Sequence, residues 1–510
     1  MSAWLLALVA LGALGALLGA VAVYDVLQRP HAILRNYPVL GHLRFVLEAV
    51  GPELRQYIVT DNDEERPFSR DQRRWVYSTA KRENDYFGFG SDNDFEAPGG
   101  GYVIIKHAAF PSAPSPAEQD PLHPTPAAKV IGSWRGRAHA FRPGSIVNIS
   151  GMSFGSLSSA AVEALNTGAR LAGCLQSTGE GGLSRHHQHG GELVFQVGTA
   201  YFGCRNAAGR FDLGRLVELT AANPVRAIEV KLSQGAKPGL GGVLPGAKVT
   251  PEIAAVRGVP VGQSVLSPPH HREFTDVDGL ISFCERLADA TGLPVGIKSA
   301  VGEDAFWPEL AGRMAARREG PDFVVIDGGE GGTGAGPLVF TDHVAQPFFV
   351  GFPRVYRAFA EAGLHEHVGF AGAGKLGFPE AALLALALGC DWVNVAREAM
   401  LAIGCIQAQR CHTGRCPTGV TAQSRWLVRG LDPTLKSVRA ANYLIALRKE
   451  LLRLAHACGH AHPALVGLDQ IELLDGRFSA TSAVTRFGYE AEWGLAATSD
   501  RLALVKLMTA

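Results

Sequence analysis

The 510-residue sequence lacks the features that identify several common classes of protein. Lys+Arg and Asp+Glu number 48 each and no block of basic residues stands out, which argues against a nucleic-acid partner. Eight cysteines are too few for a disulfide scaffold in a chain of this length. No Gly-x-Gly-x-x-Gly run both follows a strand pattern and opens a helix, so no dinucleotide-binding domain is predicted. The chain is instead rich in apolar residues (47%) and in glycine (61 residues), which is typical of a globular protein whose backbone approaches a ligand closely.

No charged residue interrupts the sequence from Ala3 to Val23. About twenty apolar residues suffice to cross a bilayer as a helix. A cleaved signal peptide is one alternative, but no basic residue precedes the run. A buried core helix is the other, but the run has no polar face. Arg29, Arg35 and Arg44 follow it, and by the positive-inside rule this predicts a single-pass membrane protein whose remaining residues are cytoplasmic.

From about residue 128, short runs rich in Val and Ile end in Gly, Ser or Lys and alternate with helical patterns. Eight such units over this length predict an α/β fold, a closed (β/α)8 barrel of the TIM type, with a doubly wound sheet as the alternative. The predicted strands lie at 145–156, 173–182, 193–203, 227–239, 294–302, 322–336, 367–377 and 391–400. We expect a transmembrane anchor at 1–25, an extension packing on the barrel at 26–127, the barrel and a cysteine loop at 128–420, and a helical region at 421–510.

Polar, glycine-rich loops follow several of these strands. The loop at 326–337, with the segment 372–377 and the end of the eighth strand, predicts a site for a phosphorylated cofactor, because such barrels bind phosphate there. Tight turns without a ligand are the alternative for the first loop.

Charged residues near the ends of the earlier strands are candidates for ligand binding. Lys231 lies in an otherwise apolar strand pattern, where a lysine is costly unless it is paired or faces a ligand such as a flavin. Lys237 and Arg257 are candidate carboxylate ligands, or solvated surface residues. Glu180, in a Thr-Gly-Glu-Gly-Gly turn, is a candidate for a charged role. His186, His187 and His189 fit no common zinc spacing and are interpreted as loop or substrate-rim residues.

Three cysteines lie close together in the sequence, with five residues between Cys405 and Cys411 and four between Cys411 and Cys416. Zinc sites and four-iron clusters usually have four protein ligands, often with Cys-x-x-Cys pairs. Three thiolates, followed by Pro417, suit a cluster of three irons. Unpaired structural cysteines and redox-active thiols are the alternatives.

Five motifs make the chain resemble the synthase domain of the glutamate synthase family: GMSFGSLS, TGEGG, SQGAKPG-GG-LPGAKV, DGGEGGTGA and GCIQAQRCHTGRCPTGV. Residues 26–100 also resemble membrane-anchored, stand-alone relatives of that family. The resemblance implies a (β/α)8 barrel with FMN and a [3Fe-4S] cluster, in which Cys405, Cys411 and Cys416 bind the cluster. It implies FMN contacts from Met152, Ser153, Lys231, Gly328, Gly329, Gly332, Thr333, Gly334, Gly372, Gly374 and Ala396.

The resemblance also implies a reaction, the reductive formation of glutamate from 2-oxoglutarate through 2-iminoglutarate. Gln234, Lys237 and Arg257 would bind the oxo acid, and Lys237 and Glu180 would be catalytic.

The sequence departs from the family in three respects. No glutamine amidotransferase domain is expected, so ammonia must come from outside. The electron donor must also be external, such as ferredoxin or a reductase subunit. Leu240 and Val243 replace a Glu and a Gln of large family members, which leaves two alternatives open. One is a flavoenzyme acting on another oxo or amino acid, or passing electrons to a membrane carrier. The other is a non-catalytic membrane scaffold.

Overall fold

The structure is a computed structural model that describes residues 3–83, 90, 91, 93, 101–114, 118, 120, 122–476 and 479–509. The chain divides into two compact units, Met1–Asp71 and Gln72–Ala510, and the boundary falls within helix α4, Arg70–Lys81.

The first unit begins with α1, Ala3–Leu27. Within the described residues, α1 is the one helix that is long and apolar enough to cross a bilayer. Its only buried residue is Asp25, which accepts hydrogen bonds from the Val39 amide at 2.9 Å and contacts His42 Nε2 at 3.0 Å. These contacts connect the end of α1 to the start of α3, His42–Leu54.

The second unit contains a closed barrel of eight parallel strands in the order β10-β11-β2-β3-β4-β5-β8-β9. The barrel strands are β2 Val147–Ile149, β3 Gln176–Ser177, β4 Leu193–Val197, β5 Val225–Lys231, β8 Val295–Ser299, β9 Phe323–Asp327, β10 Gly369–Ala373 and β11 Trp392–Val395. Each lies within its predicted segment, except that β5 begins two residues earlier. The predicted TIM-type barrel is therefore confirmed.

The first unit also contains α2 Ala32–Asn36 and α3 His42–Leu54. In the second unit, helices surround the barrel. The helices from the unit boundary onward are α4 Arg70–Lys81, α5 Ser159–Ala172, α6 Leu213–Ala222, α7 Pro251–Arg257, α8 Val277–Thr291, α9 Phe306–Arg317, α10 Leu338–His343, α11 Phe348–Glu361, α12 Pro379–Ala387, α13 Arg397–Ala402, α14 Arg425–Val428, α15 Pro433–Ala457, α16 Ala483–Phe487 and α17 Thr498–Thr509. Sequence reasoning missed the short strands outside the barrel. These are β1 Tyr102–Ile105, β6 Val243–Leu244, β7 Val265–Leu266, β12 Ile471–Gly476 and β13 Ser479–Ser482.

The interior of the barrel changes from apolar to polar along its axis. At the amino ends of the strands, Phe323 and Trp392 form one buried cluster with Ile131 and Phe141, which come from the segment before the barrel. The carboxyl ends carry Glu229, Lys231, Lys298 and Asp327 instead, all of them buried. Since buried charges must be paired or face a ligand, this polar end is where a site is expected.

Helix α15 packs across the seam where the first and last barrel strands, β2 and β11, are paired. It contacts α5, which follows β2, and also α12 and α13, which flank β11. The contact with α5 is tight, because a Cβ at Gly168 would lie 2.7 Å from the Ala440 Cβ. Tyr443 on α15 also donates a hydrogen bond to the Gly377 carbonyl at 2.8 Å.

Candidate active site

A buried ion pair lies at the carboxyl end of the barrel. The Lys231 ammonium, at the end of β5, lies 3.2 Å from Glu180 Oε2, in the turn after β3, and the two side chains are 11% and 17% exposed. The same ammonium donates a 2.6 Å hydrogen bond to Gln234 Oε1. A lysine in an apolar strand therefore has a carboxylate partner, and three of the predicted site residues are brought together.

Two further cations act on the same carboxylate. Lys237 is buried and donates to the Ala335 carbonyl at 2.8 Å. Arg257, at the end of α7, donates to the Phe154 carbonyl at 2.9 Å, and a Cβ on Gly181 would lie 2.9 Å from its Nη2. Burial alone would raise the pKa of Glu180, but the charges of Lys231, Lys237 and Arg257 outweigh it and hold that pKa below its usual value.

Lys237 and Arg257 are buried and make few hydrogen bonds. Burial lowers the pKa of Lys237, against the opposing effect of Glu180. Burial also lowers the pKa of Arg257 to about 10. Among the described residues, Arg257 Nε is buried and has no hydrogen-bond partner. A buried guanidinium N–H without an acceptor suits an anionic ligand, since an unsatisfied buried donor is costly.

Sequence reasoning missed a second polar group, deeper in the barrel. Lys298 on β8 is directly opposite Lys231 in the strand register, and its ammonium lies 3.6 Å from Asp327 Oδ2 and 3.4 Å from the Ser150 hydroxyl. Gln196 donates a short hydrogen bond to Glu229. Lys298 could have been predicted, because it carries the same signal as Lys231, a lysine in an apolar strand pattern. The contacts with Asp327 and Ser150 could not, because they join residues that are far apart in the sequence.

The predicted cofactor residues lie on adjacent strand ends. In the register, Ala373 pairs with both Asp327 and Asn394, so the ends of β9, β10 and β11 are neighbours. The Ser150 amide donates to the Val395 carbonyl at 2.9 Å, which brings the turn after β2 beside the end of β11. The residues gathered along this edge are Met152, Ser153, Gly328, Gly329, Gly332, Thr333, Gly334, Gly372, Gly374 and Ala396.

Some of these glycines are required by the packing of the strand ends. Gly374 has a φ of +115°, and a Cβ there would lie 3.0 Å from the Gly328 amide nitrogen. A Cβ on Gly332 would lie 2.6 Å from Arg397 Cδ, whereas Gly334 meets Ser156 only at 3.8 Å. Glycine at these positions therefore lets the strand ends and the Arg397 side chain pack closely together.

The three cysteines belong to one irregular loop after α13. Gln407 and Gln409 have φ values of 57° and 53°, a left-handed conformation that costs energy in residues with a side chain. The Gln407 amide donates to Cys405 Sγ at 3.4 Å, and Cys416 Sγ lies 3.5 Å from the Thr418 hydroxyl. Burial, together with the charges of Cys411 and Cys416, raises the pKa of Cys405 to about 12.

A buried lysine adjoins this loop. Lys248 donates to the Cys411 carbonyl at 3.2 Å and to the Ser156 carbonyl at 2.9 Å. In the described part of the chain, no group of three or more His, Cys, Asp or Glu side chains is arranged to hold a metal ion. The ligands of a three-iron cluster need not converge on one ion, because each thiolate binds a separate iron.

The three histidines of the loop after β3 do not converge. His186 Nε2 contacts Glu252 Oε1 at 2.9 Å, and His189 lies 3.8 Å from Glu163. His187 is fully buried, and burial lowers its pKa to about 4. These contacts give each histidine a role in packing the loop.

Residues 114–461 match a family model described as "Conserved region in glutamate synthase". The chain belongs to the glutamate synthase family. Within this family it is 38% identical, over 475 residues, to the glutamate synthase large subunit-like protein YerD of Bacillus subtilis, which covers 86% of this chain and 89% of that protein. As a member of the family the chain is an enzyme of the oxidoreductase class.

More distant glutamate synthases match over a shorter region. The archaeal-type glutamate synthase [NADPH] of Thermotoga neapolitana is 35% identical over 68% of this chain and 64% of its own length. The archaeal glutamate synthase [NADPH] of Methanocaldococcus jannaschii is 36% identical over 61% of this chain and 59% of its own length. The chain thus spans less than two thirds of these two relatives.

Among solved structures, a flavocytochrome b2 mutant with pyruvate bound matches at a TM-score of 0.42 and 14% identity, over 90% of this chain and 93% of that chain. A similarity at this level carries no argument about cofactor or reaction. The fold assignment rests on the strand order.

Proposed function

We propose that this glutamate synthase family member forms glutamate reductively from 2-oxoglutarate. Ammonia and the oxo acid would condense to 2-iminoglutarate with loss of water, and two electrons and two protons would then give the amino acid. The observation that carries the proposal is the group of three cations, Lys231, Lys237 and Arg257, whose charges act on the carboxylate of Glu180. A dicarboxylate substrate needs such an excess of positive charge at a buried site.

The roles of the side chains follow from their contacts. Arg257, with its unpartnered Nε, would bind one substrate carboxylate, and Lys237 would bind the other. Gln234, whose Oε1 already accepts from Lys231, would fix the substrate through its remaining amide N–H groups. Glu180 stays ionised among the cations and would accept or return a proton at the imine nitrogen through a carboxylate oxygen.

The residues along the glycine-rich edge fit FMN. Glycine-rich backbone after β9 and β10 and the neighbouring Arg397 side chain suit a flat ring system and its phosphate. Lys231 and Lys298 project positive charge from neighbouring strands at the centre of the barrel, where they would stabilise negative charge on the ring. When bound, FMN supplies the two-electron chemistry that side chains lack.

The cysteine loop fits an iron–sulfur cluster by its donors. Three thiols lie within one loop, and the Gln407 N–H and the Thr418 hydroxyl lie within hydrogen-bonding distance of two of the sulfurs, as is common where sulfur binds iron. When bound, a [3Fe-4S] cluster supplies single-electron transfer. Cys405, Cys411 and Cys416 would hold it, with Lys248 as the neighbouring positive charge.

The nitrogen source, electron donor and location are part of the same proposal. Free ammonia or ammonia from a separate subunit would supply nitrogen, and ferredoxin or a reductase subunit would supply electrons. Helix α1 would anchor the chain in a membrane as a single span, with the barrel in the cytoplasm, since its length and composition allow it to cross a bilayer.

One observation favours a second candidate, a flavoenzyme of the same type acting on a different oxo or amino acid. A Cβ on Gly242 would lie 2.6 Å from Glu180 Oε1, so the backbone carrying Leu240 and Val243 adjoins the charged group. Aliphatic side chains at those two positions offer no hydrogen bond to a dicarboxylate, and they suit a substrate with an apolar end.

The test is anaerobic purification of the full chain, followed by absorbance spectroscopy and low-temperature EPR before and after reduction. We expect a flavin spectrum and a three-iron signal that disappears on reduction. Cys405→Ser should lose the iron signal and keep the flavin, while Cys458→Ser, a buried cysteine outside the loop, should keep both. Flavin without iron in the wild type would refute the cluster.

Turnover separates the two candidate reactions. Glutamate formed from 2-oxoglutarate, ammonia and reduced methyl viologen would support the first. Its absence, together with turnover of monocarboxylic oxo acids that Val243→Gln weakens, would support the second. An enzyme that binds both cofactors and reduces neither class of acid would contradict the proposal.

A further inference from the structure

A cavity lies outside the barrel, beside the hairpin of β6 and β7. Its volume is about 340 Å³, which is within the range of small-molecule sites. Its walls come from the turn after β4 and from the segment that follows α7, and Thr199 joins them through a 2.7 Å hydrogen bond to the Pro268 carbonyl. The apolar side of the lining includes Phe202, Val259 and Val265.

Two arginines line the cavity, and neither is neutralised. The Arg205 guanidinium donates only to main-chain carbonyls, those of Arg257 at 2.8 Å and Gly258 at 2.9 Å, with a longer contact to Ala200. Burial lowers its pKa, and no carboxylate opposes the effect. Arg272 is exposed at the other side of the cavity.

The surroundings of these two arginines differ from those of nearby cations. Arg286, on α8, pairs with Glu273 at 2.5 Å. Within the described residues, Arg205 and Arg272 have no ion pair, and no Asp or Glu lines the cavity. Two positive charges around an uncharged concave surface create a favourable potential for an anion.

The cavity adjoins the candidate active site through one aromatic ring. Phe202 is buried, with the Arg205 guanidinium 4.7 Å and the Arg257 guanidinium 5.1 Å from its ring centre. Arg205 also holds the main chain at the end of α7, which carries Arg257. An anion that attracts Arg205 into the cavity would weaken these carbonyl contacts and change the setting of Arg257.

We propose that this cavity is a second, peripheral site for a small organic carboxylate, which binds Arg205 and Arg272 and acts on the active site through the end of α7. The mixture of guanidinium groups with Phe202, Val259 and Val265 favours a carboxylate on a short carbon chain over inorganic phosphate. The site does not depend on the proposed reaction, because it contains none of the residues assigned to that reaction.

The test is calorimetric titration of succinate, and separately of inorganic phosphate, into the full-length protein. Arg272→Gln removes the exposed charge with little risk to folding. The matched control is Arg210→Gln, an exposed arginine of the adjacent turn that does not line the cavity. We expect a succinate-binding event that weakens about tenfold in Arg272→Gln, as the loss of one charge-assisted contact should cause, and that is unchanged in the control.

Hydrogen–deuterium exchange tests the coupling. Succinate should change amide exchange over residues 251–259 in the wild type, and not in Arg272→Gln. Equal succinate affinity in the wild type and Arg272→Gln, or no binding to either, would overturn the site. Phosphate binding more tightly than succinate would overturn the carboxylate assignment. Neither measurement requires turnover, so failure of the proposed reaction would leave this result interpretable.

Discussion

Replacing Lys231 by Met should destabilise the protein through Glu180. The two groups are 3.2 Å apart with side chains 11% and 17% exposed, so the pair is largely removed from water. Breaking a buried ion pair by removing one partner costs about 3–5 kcal/mol. Glu180 would keep Lys237 and Arg257 as neighbours, and we therefore expect the lower end, about 3 kcal/mol.

A double-mutant cycle isolates the pair from other losses. Lys231→Met also removes the hydrogen bond to Gln234, whereas Glu180→Gln does not. The double variant should be more stable than the sum of the single changes predicts, with a coupling energy of about 2 kcal/mol. The assay is urea unfolding of the full-length chain in detergent, followed by circular dichroism, with the slope checked for constancy across the four proteins. Additive losses would refute the view that Lys231 is held mainly by Glu180.

Three further predictions concern a histidine, a lysine and a glycine outside that pair. Burial lowers the pKa of His462 from 6.5 to about 3. Below pH 6.5 the unfolded chain takes up a proton at this histidine and the folded chain does not, so the contribution of neutral His462 to stability is fully present above pH 6.5 and is lost as the pH falls. Between pH 7 and pH 5, the free energy of unfolding should fall by about 2 kcal/mol more in the wild type than in His462→Gln. Lys248→Met should lower the reduction potential of the proposed cluster, because a buried cation next to Cys411 favours the more negative reduced state. The measurement is a redox titration followed by EPR, and an unchanged potential would contradict the prediction. Gly235→Ala should lower the free energy of unfolding by about 3 kcal/mol, and with it the melting temperature, because the added Cβ would overlap the Gly328 carbonyl. The control Gly302→Ala, whose Cβ would have no atom within 4 Å, should leave the melting temperature nearly unchanged.

The barrel was predictable because each strand carries its own signal. A short run of Val and Ile that ends in glycine or a charged residue defines β8 and β9 without reference to distant residues. The strands β1, β12 and β13 were missed because they form a sheet from segments far apart in sequence, and β12 pairs with both of the others. Neither segment has an alternation long enough to indicate its partner.

The candidate site was predictable as residue types and not as contacts. Lys231 was recognised because a lysine in an apolar strand is costly, yet its partner Glu180 lies on another strand end, and the sequence does not state the distance between them. Lys248 was missed because a lysine in a Gly- and Pro-rich loop appears solvated. Its burial depends on contacts with the Ser156 and Cys411 carbonyls. Convergence of this kind arises only when the barrel closes.

The position of α15 has a consequence for how the protein is made on the ribosome. The chain emerges from its N-terminus, so β2 and α5 are available long before their partners β11 and α15. The seam between β2 and β11 is covered only when residues 433–457 have been synthesised. Until then the α5 surface around Gly168, which later touches Ala440, stays exposed. A nascent chain that stalls before α15 should therefore be a target for chaperones, and α15 supplied as a separate peptide should suppress its aggregation.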